Sequence, residues 1–258
     1  LCFALSKEIE NHSTFGVLIL DAAAILKKVQ EKYLSLKAYS DEGRLETTGQ
    51  AEIEFSTNFV APAQFRFEWQ ADESLASQSL GGESVVWSNG AKCWEELAAG
   101  ESRETTVADS FSGCAGMTGG AILMILNLLM PGVVQVNKFW RDMKNPSLTG
   151  VEIINETSCY HISGDSESTG DIEAWIGCES FLVHRINEKM LITVEQAQLV
   201  RSEAIVALKA MGVKEGSPAM AQALAGFPVK EHSFNKTFCY ENIEVDGQCP
   251  ESIFEPPD

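Results

Sequence analysis

Basic residues are scarce in this 258-residue chain: 19 Lys and Arg stand against 37 Asp and Glu, a formal charge of −18. Such a balance repels phosphate backbones, and no basic cluster offsets it; the nearest, Lys27-Lys28 with Lys32, is the wet side of a helix. Nucleic acid is therefore set aside as a partner. Long hydrophobic runs are missing as well. The oiliest stretch, "GGAILMILNLLMPG" from Gly119 to Gly132, is cut by Asn127 and closed by Pro131-Gly132, whereas crossing a bilayer takes roughly 20 consecutive apolar residues.

Signatures of chemistry are absent in turn. None of the seven cysteines sits in a C-x-x-C pair, which weakens zinc and thioredoxin-type readings. His12, His161, His184 and His232 show no H-x-H or H-x-x-x-H spacing, so His161 and His184 read as wet-face strand residues. No G-x-S-x-G elbow occurs, and "SGCAGMTGG" lacks the Lys-Ser/Thr ending of a phosphate loop. "DSESTGD" carries Asp165, Glu167 and Asp171 without the full spacing of a calcium loop. Asp41 and Glu42 are adjacent, and neighbours on a strand point to opposite faces. The chain does not read as an enzyme, and it implies no cofactor and no metal.

What is present is the patterning of a globular protein, with 45% hydrophobic and 22% charged residues. The cysteines favour disulfides in an oxidising compartment: Cys159 and Cys178 flank a predicted hairpin, Cys239 and Cys249 a predicted turn. Cys2 is the odd one. It raises an acyl anchor at the N-terminus, against which Leu1 stands where such a site wants a small residue. "DAAAILKKVQEKYLSLK" predicts a helix capped by Asp21, with Ile25, Leu26, Val29, Tyr33 and Leu36 on one face. The period then becomes two in "AEIEFSTNF" and "FRFEW", as in half-buried antiparallel strands, and "VVWSNGAKCW" reads as a hairpin turning at Asn89-Gly90. A glycine-rich hinge at 113–120 leads to a predicted helix over Ala121–Met130. Strands resume near Val151, and "SCYHISG…DIEAWIG…SFLVHRI" reads as a meander of three; an amphipathic helix runs from Val194 to Gly212, and a short one spans Pro218–Ala225. A last strand lies in "PVKEHSFNKTFCYENIEV".

The strands offer a large apolar face, and the glycine-tethered, Met-bearing helix at 121–130 suits a movable cover over it. The residues alone leave a ligand cavity and a plain core equally open.

Five short motifs in order shift that balance. "LKAYSDEGRLE", "FVAPAQFRFEW", "SVVWSNGAKCWEE" and the ending "SIFEPPD" follow the first amphipathic helix. Within them Pro62, Phe65, Phe67, Trp69, Ser88, Asn89, Gly90, Trp94, Phe254, Pro256 and Pro257 resemble the pattern of the LolA-like family of periplasmic lipoprotein carriers. The resemblance implies an α+β fold: a curved antiparallel sheet forming an incomplete β-barrel, its concave apolar face covered by helices. It would occupy 21–258 as one domain after an N-terminal segment, 1–20, with a helical insertion at about 190–226. It further implies a lipid or acylated lipoprotein as ligand, an extracytoplasmic place in the cell envelope, and membrane contact that is transient or through an N-terminal anchor. An envelope protein engaged through the same sheet and lid is the alternative partner. The family's carriers have an Arg before the matched Pro, where this chain has Ala61. The cavity would be lined by Phe55, Phe65, Phe67, Trp69, Trp87, Ile122, Ile125, Leu126, Leu129 and Trp175. On this reading Leu126→Asp abolishes binding of a fluorescent fatty acid while the strand signal in circular dichroism persists; unchanged binding would refute the lid assignment.

Overall fold

The computed structural model describes residues 20–71, 82–97, 102–132, 143–166, 170–210, 213–225 and 229–256. Cys2, Gly212 and Pro257 lie outside them. Helix α1 (Ala22–Ser35) starts where the Asp21 carboxylate accepts the Ala24 amide at 2.7 Å, and it buries Ile25, Leu26, Val29 and Tyr33 as the spacing predicts. Strands β1 (Ala38–Thr47), β2 (Ile53–Val60), β3 (Gln64–Ala71), β4 (Gly82–Asn89), β5 (Cys93–Glu96) and β6 (Ser102–Thr105) follow as an antiparallel meander. Helices α2 (Val107–Met117), α3 (Ala121–Met124) and α4 (Leu126–Leu129) come next, then a second meander of β7 (Lys144–Ile154), β8 (Thr157–Ser166), β9 (Gly170–Gly177) and β10 (Val183–Ile192). Helices α5 (Val194–Ala210) and α6 (Pro218–Ala225) precede β11 (His232–Val245) and a 3-10 turn at Glu251–Phe254.

All eleven strands form one antiparallel sheet in the order β6-β5-β4-β3-β2-β1-β11-β10-β9-β8-β7. It does not close: β6 and β7 are its edges. This is the expected open sheet with helices. β11 joins the two meanders by pairing with β1 on one side and β10 on the other. The alternation of period two sends Tyr39, Leu45, Phe55, Phe59, Phe65, Phe67, Val86, Ile162, Ile172, Ile186 and Phe238 to one face, where they pack with α1 to α4 in a single core. Gly43 belongs to that face because nothing larger fits: a Cβ there would lie 2.3 Å from the ring of Phe55, its partner across β1 and β2.

Several expectations are corrected. The glycine-rich hinge is narrower, because the Thr106 side chain caps α2 by accepting the Asp109 amide, and the helix runs on through Gly113 to bury Phe111 and Cys114. The hinge is confined to Gly119 and Gly120, both left-handed. The predicted helix over 121–130 is two single turns meeting at Ile125. The strand expected near Val151 is β7, and its pairing with β8 makes the second meander four strands. The six described cysteines all carry free thiols. Cys239 stands opposite Arg44, whereas Cys249 lies by Tyr39 and Ser40, five residues farther along β1. At about 3.3 Å per residue that is about 17 Å, far beyond the ~7 Å a disulfide spans. Cys159 pairs with Gly177, and Cys178 stands one step out of register, its amide bonded to the Ser158 carbonyl, and both thiols are free.

Asp41 is among the charged groups sealed inside the core, with Glu95 and Glu188. Asp41 is 3% exposed, at a register shift between β1 and β11, and it accepts the Tyr39 hydroxyl at 2.7 Å. Burial pushes its carboxyl up from 3.8 to about 6, although bonds from Tyr39 and Thr57 pull it down. A value raised in the folded state means the proton is held more tightly there than in the unfolded chain. Stability is therefore fullest below about pH 4 and is lost as pH rises through about 6. Asp41→Asn should gain on the parent protein over that interval, by up to about 3 kcal/mol at pH 7, in urea melts at several pH values. A difference that does not vary with pH would show that Asp41 titrates normally.

Candidate functional site

The candidate site lies where α3 and α4 meet the inner face of the sheet. Phe55 on β2 and Phe65, Phe67 and Trp69 on β3 pack into the same core as Ile122, Ile125, Leu126 and Leu129 of α3 and α4. Phe55 and Phe67 stack at 5.6 Å, Phe67 touches Trp69 at 6.0 Å, and Phe65 meets Phe111 of α2 edge-on at 5.2 Å. Every residue from Ala121 to Met130 is buried.

Two of the ten predicted lining residues are elsewhere. The register pairs Phe67 with Val86 on the inner face and Arg66 with Trp87 on the outer one. Trp87 stacks on Trp94, lies under the Arg66 guanidinium, and donates its indole N–H to the Glu255 carbonyl at 2.9 Å. Trp175 is likewise external, against Ile154 and Cys159, with its indole N–H on Glu152 at 2.9 Å. Both are buried by outer-face neighbours, which is why size and hydrophobicity misplace them.

The same outer patch holds His161. Its ring stacks on Trp175 at 4.3 Å, with Nδ1 2.8 Å from Glu152 and Nε2 3.4 Å from Glu173. These contacts join an imidazole to two carboxylates and an indole, and none of them is to a hydroxyl or thiol nucleophile. His184 is held below its ordinary value by burial, and the Cys178 thiol above its own by burial, the reverse of an activated thiolate. A groove of about 700 Å³ over β1 to β4 is also on the outer face, edged by Glu42, Glu54, Glu68, Glu83, Glu96 and Glu241 with Arg44 and Arg66.

The inner face carries polar groups that the sequence reading did not single out. Lys236 on β11 alternates with Phe234 and Phe238, and so points inward opposite Glu188 of β10. Its ammonium donates to the Gly119 carbonyl at 2.6 Å, at the turn that leads into the lid. Burial lowers the Lys236 value while Glu188 raises it; burial raises the Glu188 value while Lys236 lowers it. Gly119 is pressed so close to the sheet that a Cβ would lie 2.4 Å from Leu45. The alternation Phe-x-Lys-x-Phe was the available signal. Asn127, noted only as a break in the run, is 9% exposed, and neither its amide nitrogen nor its oxygen has a partner. Leaving such a group unanswered costs about 1–3 kcal/mol.

No family model matches the chain, and no curated protein does. Among solved structures it is similar to the lipoprotein LppX of Mycobacterium tuberculosis, at 11% identity and TM-score 0.45, over 88% of this chain and 98% of that one. It is similar to the LolA superfamily protein NE2245 of Nitrosomonas europaea at 11% and 0.31, over 92% and 98%. It is also similar to the Pseudomonas aeruginosa MucA/MucB complex at 8% and 0.43, over 92% of this chain and 61% of that one. Likeness at this level does not extend to function.

The Lys236–Gly119 contact yields a measurable outcome. The double variant Lys236→Met, Glu188→Gln removes it without stranding a charge. Amide exchange in 119–130 should quicken about tenfold to a hundredfold, as expected for losing a charge-assisted bond, while β2 and β3 keep their protection. Equal protection of the lid in both proteins would show that the contact does not hold it.

Proposed function

We propose that this protein binds and carries an acyl chain or similar hydrophobic ligand between the lid and the inner face of the sheet, without catalysis, in the cell envelope. The observation that carries the reading is the lid itself. Ten successive buried residues form two single helical turns instead of one regular helix, and they enter through two left-handed glycines. Short turns have little hydrogen-bonded stability of their own, so this cover is held mainly by apolar contact with the sheet and α1. An acyl chain could replace that contact in kind. Each methylene it buries contributes about 0.8 kcal/mol, so a dozen would offset much of the cost of displacing the lid. The envelope setting is supported by the sequence resemblance alone.

A protein partner is the second reading, favoured by large apolar side chains left exposed away from the lid: Leu191 next to α5, and Leu199, Val200 and Val206 along it. Among the described residues no helix is long and apolar enough to cross a membrane.

Native mass spectrometry of protein purified without detergent, followed by solvent extraction, separates the two. The carrier reading expects a co-purifying lipid at near-stoichiometric amount. A mass that is apo and stays apo after incubation with lipids would reject it in favour of the partner reading.

A further inference from the structure

The lid is apolar throughout except at Asn127, and the fold makes no use of that exception. Its neighbours Ile125, Leu126, Leu128 and Leu129 are buried hydrocarbon, and α4 packs on α1, whose buried face is Ala22, Ile25, Leu26, Val29 and Tyr33. The one hydroxyl on that face, Tyr33, is taken up by the Val183 amide at 3.2 Å. Leu would fill a similar volume with no polar atoms to bury, so stability alone favours Leu here.

A primary amide offers two N–H donors and one carbonyl acceptor. Its complement is a group that presents a carbonyl together with a hydroxyl or N–H. A hydrocarbon tail has neither. A free carboxylate can accept from the amide N–H but leaves the amide oxygen unanswered, and it brings a charge into an apolar enclosure. The junction of an acyl chain with its head has both, where an ester carbonyl stands beside a glycerol hydroxyl or where the link is an amide. The cations on this face are engaged, Lys236 by Gly119 and opposite Glu188, Arg103 by Glu95, so they do not favour an anionic head.

Resting on the carrier reading, we infer that Asn127 is the specificity-determining contact of the lid. It hydrogen-bonds the carbonyl and neighbouring hydroxyl or N–H of an acyl ester or amide, and so selects such ligands over free fatty acids and plain hydrocarbons.

Asn127→Leu and the smaller Asn127→Ala are compared with the parent protein by thermal melting and by titration with 1-monolauroylglycerol, laurate and dodecane. The ligand-free Leu variant should melt several degrees higher. Both variants should bind monolauroylglycerol at least tenfold more weakly, with dodecane affinity unchanged or increased. The parent protein should prefer monolauroylglycerol to laurate. Unchanged monolauroylglycerol affinity in variants that still bind dodecane would overturn the inference and leave the carrier reading standing. So would a ligand-free Leu variant that melts no higher than the parent. If the parent protein binds none of the three probes, the carrier reading itself falls.

Discussion

The ladder between β1 and β11 is the joint on which the architecture rests. Each meander alone is a curved sheet with an unpaired edge, and β11 supplies the partner for both. Its pairing with β1 brings together residues about two hundred positions apart, such as Leu45 and Phe238. Contacts so distant in sequence must repay the entropy of closing a very long loop, and they do so by burying Phe238 and Tyr240 against the inner face. Without that ladder there would be no continuous apolar surface for the helices to cover.

Several of the polar groups inside the molecule lie along this same joint. Asp41 sits at the register shift in β1, Lys236 and Tyr240 lie on β11, and Glu188 faces them from β10. An interior of this kind is held together less economically than an all-hydrocarbon one, because each group must be desolvated and then answered. Tyr39 answers one oxygen of Asp41 and the Gly119 carbonyl answers Lys236, whereas the second Asp41 oxygen, the Tyr240 hydroxyl and the Asn127 amide have no partner. The segment of α3 and α4 is thus coupled to the joint through Lys236, and its Asn127 is unsatisfied.

Much of the fold was legible from period and caps. Asp21 with the spacing of Ile25, Leu26, Val29 and Tyr33 marked α1, and the alternation in "FRFEW" put Phe65, Phe67 and Trp69 on the correct face. Trp87 and Trp175 were misread because each sits in a run of consecutive apolar residues, "VVW" and "AWI", where the alternation is lost and only register decides the side. The cysteine pairs failed for a related reason: nearness in sequence to a turn says nothing of where a strand carries its residues. Lys236 was readable in "FNKTF", where its charge alternates with Phe234 and Phe238. Asn127 could be seen; that it had no partner could only come from packing.

The place of β11 in the sheet also bears on how the chain is made. Every other described strand is synthesised before it, so the two half-sheets, with their aromatic faces, exist apart until the strand between them emerges. A nascent chain in that condition has greasy surface with nothing to cover it and two ladder edges open to wrong partners. Those edges stay open until synthesis is nearly done, and the open sheet becomes continuous only when the final strand slots into the gap.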